Sequence, residues 1–369
     1  MSMKYLLALL LITNIAFGQT SNIKWIDPTQ MKEQCIDGRG WNDGYTFPYD
    51  RLPQKAQSMV RPVLWDLSKH AAGEYINFTT NSSTIYVRLK VKGAQAMAQM
   101  PATGVSGVDL YSKDPLGNWN WTKATVNFKD TITYKFENIN DPSRFDFFRL
   151  YLPLCNAVSW LEIGVPDNYT CTLLPAQEQK PIVAYGTSIM HGAYASRPGL
   201  GWTNILGRKL NSKIINLGFS GNGQLEPALI DLINEIDGKL YILDCIPNLW
   251  DKARFSAEEI EKRMRHAESE IHKKHPGVPI IFTEHCSGKD GINLDTVMAQ
   301  KYIAVSEISA AVFKKMKKEG IKDIYELTAR QIGFDTESTL DGTHPNDIGM
   351  MQYANAYYDL ITRKIGLRK

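Results

Sequence analysis

Cysteine is scarce in this chain. There are five in 369 residues (Cys35, Cys155, Cys171, Cys245 and Cys286), and no two share C-x-x-C spacing. That excludes a thioredoxin-like redox pair and the common zinc-binding frameworks. Cys155 and Cys171 could pair, but buried single thiols fit the same spacing equally well. Charge of one sign is also lacking: the formal net charge is +3, without a long run of either sign. The cluster Lys314, Lys315, Lys317 and Lys318 reads as the solvated C-terminal end of a helix, where cations are favoured, so nucleic acid is not an expected partner. Long apolar runs are missing after the first dozen residues, so no membrane anchor is expected. The one early run, Tyr5 to Ile12, follows Lys4 and precedes Ala16-Phe17-Gly18. A positive start, a short apolar stretch and small residues predict a signal peptide over residues 1–18, cut before Gln19, and an exported protein, periplasmic or secreted.

The full chain is apolar enough, at 43%, for more than one core, and the length predicts two domains. The two halves follow different periodicities. Segments such as Tyr75–Thr79, Thr84–Val91 and Asp146–Leu152 are short, rich in β-branched and aromatic residues, and separated by turn signals such as Asn81-Ser82-Ser83. They predict an all-β sandwich or jelly roll over residues 19–175. A polar stretch between prolines, Pro175 to Pro181, reads as the linker. Over residues 176–369 apolar strands alternate with amphipathic helices. Strands are expected at Ile182–Tyr185, Lys213–Leu217, Leu240–Cys245, Pro279–Thr283 and Ile321–Tyr325, and helices near Trp202–Leu210, Pro227–Asn234, Ala257–Lys274, Ala299–Lys318 and Asp347–Ile365. The pattern predicts an α/β domain of three layers around a parallel sheet, whose ligands bind beyond the carboxyl ends of the strands.

Polar residues gather after those strand ends. Tyr185-Gly-Thr-Ser188 ends the first strand. A lone serine at such a junction is ordinarily a helix cap. Asp341-Gly-Thr-His344, entering the last helix, supplies a different reading: a carboxylate three residues before an imidazole can hold one ring nitrogen and aim the other outward as a base for Ser188. Gly218-Phe-Ser-Gly221 after the second strand would bring a backbone N–H close to substrate, and Asp244-Cys-Ile-Pro-Asn248 after the third would add a side-chain amide. The N–H groups of Ser188 and Gly221 with the Asn248 amide would form an oxyanion hole. Ser220 is a rival nucleophile, because Gly218-Phe-Ser220 faintly matches the G-x-S-x-G elbow, but the fifth residue is Asn222.

The order Gly186-x-Ser188, Gly221, Asn248, Asp341-x-x-His344 resembles the SGNH (GDSL-like) hydrolase superfamily. Gly-Thr-Ser replaces the usual Gly-Asp-Ser, and Ile246-Pro-Asn248 replaces the usual third block. The third block resembles that of a subgroup, Asp-Cys-x-Pro-Asn, whose N-terminal β domain carries Gly-x-Asp-Leu-Tyr. Here that signature is Gly107-Val-Asp-Leu-Tyr111. The resemblance implies a flavodoxin-like hydrolase domain and a serine esterase with Ser188, His344 and Asp341 as its catalytic residues. It further implies acyl, mainly acetyl, esters of oligo- or polysaccharides as substrate, with neither metal nor cofactor. Other readings left open are a lipase or thioesterase of the same superfamily, and a glycan-binding protein with a degenerate hydrolase domain. His191, Trp202 and Trp250 are candidate substrate contacts; Trp119 and Trp121 are expected in the core. Glu284-His-Cys286, after the fourth strand, is expected to border the pocket and not to bind metal.

Overall fold

The structure is a computed structural model, and it describes residues 22–139, 146–285 and 294–367. The expected signal peptide lies outside them, as does Cys286. In the N-terminal half, two antiparallel sheets face each other. One has the strand order Ile23–Ile26, Val158–Pro166, Ile85–Val91, Ile132–Phe136, Thr125–Asn127. The other runs Cys171–Leu173, Tyr75–Thr80, Phe147–Tyr151, Asp109–Lys113, Trp119–Trp121. Period-two alternation builds the filling: Ile85, Val87 and Leu89 point inward, while Tyr86, Arg88 and Lys90 between them are less buried. They meet Phe78, Phe148 and Leu150 of the opposite sheet in one core, as a sandwich requires.

The C-terminal half holds a five-stranded parallel sheet. In chain order its strands are Ile182–Gly186, Ile214–Gly218, Leu240–Asp244, Ile280–Thr283 and Ile324–Leu327, and their spatial order is second, first, third, fourth, fifth. These strands are apolar on both faces because each face is covered. Val183, Ile215 and Tyr241 belong to one core with helices Pro227–Ile233 and Ala257–Lys274, whereas Ala184, Ile214 and Ile242 belong to another with Trp202–Leu210 and Asp347–Asp359. Chain order reverses between the first and third strands, and a crevice opens at their carboxyl ends at such a point.

Most element bounds match expectation within a residue. The fifth strand begins three residues late, because Gly320 and Asp323 adopt left-handed conformations (φ +88° and +53°) and the turn takes up the intervening residues. The final helix is α-helical only to Asp359 and continues as a wider turn over Leu360–Ile365.

Two features were not legible in sequence. The β half contains short helical turns, at Gln54–Ser58 and Pro62–Leu67, and Leu52, Ala56 and Leu64 pack in the same core as Leu217, Phe219 and Leu229. Nearby, Arg51 is buried and donates to the carbonyls of Asn216 (3.0 Å) and Gly218 (2.8 Å) at the end of the second parallel strand. The same guanidinium donates to the carbonyls of Leu67 and His70. Of the two readings open for Cys155 and Cys171, the structure shows the buried single thiols: both are free and buried, and they sit in separate cores, Cys155 in the one that holds Ala184 and Cys171 inside the sandwich.

Candidate active site

Ser188 is the first residue of a single helical turn, Ser188–His191. The cap of that turn is Thr187, whose side chain accepts from Ile189 N–H (3.3 Å). The departure from Gly-Asp-Ser thus keeps a capping residue before the serine and leaves the Ser188 hydroxyl available. Packing holds the turn hard against the sheet: a side chain on Gly218 would stand 2.2 Å from the His191 backbone nitrogen, and one on Gly186 would stand 2.7 Å from the Asp244 carbonyl.

Ser188 Oγ lies 2.7 Å from His344 Nε2, and His344 Nδ1 lies 2.7 Å from Asp341 Oδ2. The other carboxylate oxygen, Oδ1, accepts from the backbone N–H of His344 (2.7 Å) and of Thr343 (3.0 Å), with Gly342 in a left-handed conformation at the tip of the turn. Burial alone would raise the Asp341 carboxyl; the hydrogen bond and charge of His344 and the two backbone donors outweigh it and hold the group at about 2. Asp341 is therefore ionised at any ordinary pH. Two neighbouring carboxylates are committed elsewhere. Asp347 accepts from Ser196 N–H (2.9 Å) and Oγ–H (2.6 Å), and Asp335 caps its own short turn through Glu337 N–H (3.1 Å).

Gly221 has φ +68°, a side chain built there would meet nothing within 4 Å, and the residue lines the same cavity as Ser188. Asn248 follows the third strand. Hydrogen bonding settles its amide: Oδ1 accepts from the N–H of Asn222 (2.9 Å) and of Gly223 (3.1 Å), which leaves the NH₂ end to donate. The Ser188 N–H opens a helix and has no intrahelical acceptor. Ser188, Gly221, Asn248 and His344 all line one cavity of about 370 Å³ at the reversal of strand order.

The candidate contacts divide. Trp250 and His191 line the cavity. Trp202 does not: it is fully buried and stacked on Tyr357 (4.5 Å between ring centres, 10° between planes), so its assignment as a substrate contact is corrected to a core residue. Its helix turns that position toward the final helix, a choice that depends on helical phase. Ser220 also faces the cavity, but its hydroxyl meets His191 Nδ1 (3.4 Å), not His344. Trp121 departs from the core expectation: it is 49% exposed, and its Nε1–H donates to Asp109 (2.6 Å). Glu284 accepts from Ala329 N–H (2.8 Å), and buried His285 packs edge-on to Tyr302. Desolvation and then the charge of His344 push the His285 imidazole down to about 3, so it stays neutral. Among the described residues no three His, Cys, Asp or Glu side chains gather to hold a metal ion.

Several cavity residues carried no sequence signal. Leu67, His70, Met97 and Cys155 reach the wall from the β half, and Tyr194 sets its ring edge-on to His344 with centres 4.8 Å apart. His70 Nδ1 is 3.3 Å from His191 Nε2. Burial, then the Arg51 charge, lowers His70 to about 4, and the same causes with His70 itself push His191 well down. The wall therefore presents two neutral imidazoles. Cys155 is no rival nucleophile, since burial pushes its thiol up to about 12 against the lesser pull of Arg51.

Comparison with known proteins agrees with this architecture. One solved structure, described as a GDSL-like lipase from Bacteroides ovatus, is 28% identical, covers 93% of this chain and 98% of its own, and superposes with a TM-score of 0.82. A salicylyl-acyltransferase from a tetracycline biosynthetic pathway is 19% identical, with 94% and 99% covered and a TM-score of 0.71. An acetyl xylan esterase from the rumen bacterium Butyrivibrio proteoclasticus is 11% identical, with 93% and 100% covered and a TM-score of 0.52. The latter two show the fold alone. A search of curated proteins finds no match. Residues 23–171 match the N-terminal domain of SGNH-hydrolase-type esterases, and residues 179–362, which carry the serine, the amide and the Asp–His turn, belong to the GDSL-like lipase/acylhydrolase family.

Proposed function

We propose that this acylhydrolase is an exported serine esterase that removes acyl groups, chiefly acetyl, from carbohydrates. The observation that carries the chemistry is the unbroken line from Ser188 Oγ through His344 to Asp341, with 2.7 Å at each link. Ser188 attacks the ester carbonyl carbon, and its proton passes to His344 Nε2. Charge that develops on the carbonyl oxygen is met by the N–H groups of Ser188 and Gly221 and the NH₂ of Asn248. The ionised Asp341 stabilises the imidazolium, which then protonates the departing alcohol. Water, deprotonated by His344, attacks the acyl-serine, releases the carboxylic acid and restores the hydroxyl. Every proton is accounted for by His344, so the cycle draws on no metal or cofactor.

Substrate class rests on the cavity. Trp250, Tyr194 and Tyr302 give it aromatic walls of the kind that pack against sugar rings, and its volume exceeds that of an acetyl group several-fold. Likeness in fold to an acetyl xylan esterase points the same way. Residues from the β half complete the wall, so both regions would meet the glycan. Export rests on the N-terminal segment; among the described residues no helix is long and apolar enough to cross a membrane. The test is acetate release from a panel of acetylated polysaccharides beside turnover of 4-nitrophenyl acetate, each with Ser188→Ala. A panel without release, with turnover of long-chain or thioester substrates, would reject the carbohydrate reading. Wild-type turnover by Ser188→Ala would reject the nucleophile.

A further inference from the structure

The Gly107-Val-Asp-Leu-Tyr111 signature lies on the β half, yet its polar groups act on the catalytic half. Asp109 is almost fully buried. Its Oδ2 accepts from Arg197 Nη1 (2.5 Å) and from Gly199 N–H (2.9 Å), while Oδ1 accepts from Trp121 Nε1. Tyr111 stands two residues on, on the same strand face, and its hydroxyl accepts from the same Arg197 nitrogen (2.7 Å). Arg208 covers the Tyr111 ring at 4.0 Å and donates to the Gly199 carbonyl (2.7 Å). The fit leaves no room at residue 199: a side chain there would come within 2.3 Å of the Tyr111 ring and 2.5 Å of Asp109 Oδ2.

Residues 193–199 form the loop that leaves the Ser188–His191 turn. They are gripped again where Thr103 Oγ1 donates to the Ser196 carbonyl (2.7 Å), and a side chain on Gly104 would stand 2.2 Å from the Ala195 carbonyl. The loop in turn holds the other half of the site. Ser196 donates twice to Asp347, three residues past His344, and Tyr194 packs against the His344 ring.

We infer that this signature is a latch on the catalytic pair: Asp109 and Tyr111 are positioning residues that fix the 193–199 loop and, through Ser196–Asp347 and Tyr194, the His344 ring relative to Ser188. The inference rests on the reading of Ser188 and His344 as the reacting pair. A displacement near 1 Å between reacting groups can cost about a hundredfold in rate, so a latch of this kind is felt in kcat.

The test measures kcat and KM on 4-nitrophenyl acetate, the rate of Ser188 labelling by a fluorophosphonate, and the urea midpoint, for Asp109→Asn, Tyr111→Phe, Asp347→Asn and the double variant Asp109→Asn/Asp347→Asn. The latch predicts that Asp109→Asn and Asp347→Asn each lose about tenfold or more in kcat and in labelling rate, with KM within about twofold, because ground-state binding is spared. The double variant should fall little below the worse single one, since both break one path. Folded variants with wild-type kcat and labelling and only a lower midpoint would overturn the inference, leaving the signature as plain domain packing. If Asp109→Asn fails to fold, Tyr111→Phe decides in its place: it removes one acceptor from Arg197, and a matched fall of about threefold in kcat and labelling is expected, against none if the latch is absent. Ser188→Ala separates the two readings. An active Ser188→Ala means that the catalytic assignment failed, whereas an inactive one beside fully active latch variants means that the latch did.

Discussion

Replacing Asp341 with Asn is expected to damage the site more than replacing it with Ala, and the geometry says why. Asp341 Oδ1 accepts from two backbone N–H groups, those of Thr343 and His344, while Oδ2 faces His344 Nδ1. In the Asp341→Asn variant the amide oxygen must keep the position met by the two backbone donors, because turning the NH₂ toward them would set donors against donors. The NH₂ is then forced onto Nδ1, which must become an acceptor, and the ring proton moves to Nε2. That tautomer donates to Ser188 and cannot take its proton. The lost counter-charge adds to the loss, and the total is expected near 10⁴ in kcat, or about 5.5 kcal/mol of transition-state stabilisation. The Asp341→Ala variant also loses the charge and the orientation, but nothing then holds the wrong tautomer, so its kcat should stand about tenfold or more above that of the Asn variant. Single-turnover acylation by 4-nitrophenyl acetate, measured for the three proteins at one pH, gives the order. Equal rates for the two variants, or a faster Asn variant, would refute the reasoning. A linked effect concerns stability. The Asp341 carboxyl is lowered in the folded state from 3.8 to about 2. Its contribution is therefore fully present above the unfolded value and is lost as pH falls through the folded one, so wild type should lose stability relative to the Asn variant between about pH 4 and pH 2.

Three further outcomes follow from the same contacts. Ser220→Ala should keep acylation within about tenfold of wild type, because its hydroxyl meets His191 and not His344; loss to the level of Ser188→Ala in a burst assay would reassign the nucleophile. Asn248→Ala should lower kcat roughly a hundredfold or more with little change in KM, as expected for a donor used mainly in the transition state, and a change confined to KM would remove the amide from the oxyanion hole. Trp202→Ala should cost about 3–5 kcal/mol in urea unfolding, as a large ring leaving a stacked core, while Trp250→Ala, which removes a half-buried ring packed on the core edge, should lower the midpoint less and should raise KM for an acetylated oligosaccharide; the reverse pattern would mean that their roles are exchanged.

Periodicity and order made much of this protein readable in one dimension. Apolar strands alternating with helices imply a covered parallel sheet whatever the details, and turn residues at strand ends place polar groups on its carboxyl edge, so Ser188, Gly221, Asn248 and the Asp341–His344 turn were legible as four blocks along the chain. Asp341 and His344 are local partners, joined within one turn, and their pairing follows from spacing alone. Identity also limits the capping choice: with Thr187 before it, Ser188 has a neighbour able to cap the turn.

Tertiary structure decided what depends on helical phase and on contacts between distant segments. Trp202 and Trp250 are equally aromatic and both follow a motif at a strand end, yet the phase of the Trp202–Leu210 helix buries one against Tyr357, and the turn after Asn248 leaves the other on the cavity wall. His70 meets His191 across 121 positions of sequence, and Asp109 meets Arg197 across 88. Neither pairing has a local periodicity to announce it. They exist because separate segments of the β half, the stretch around Arg51 and His70 and the strand Asp109–Lys113, pack against the residues that follow the parallel strands, and only the packed chain specifies which buried polar groups there find each other.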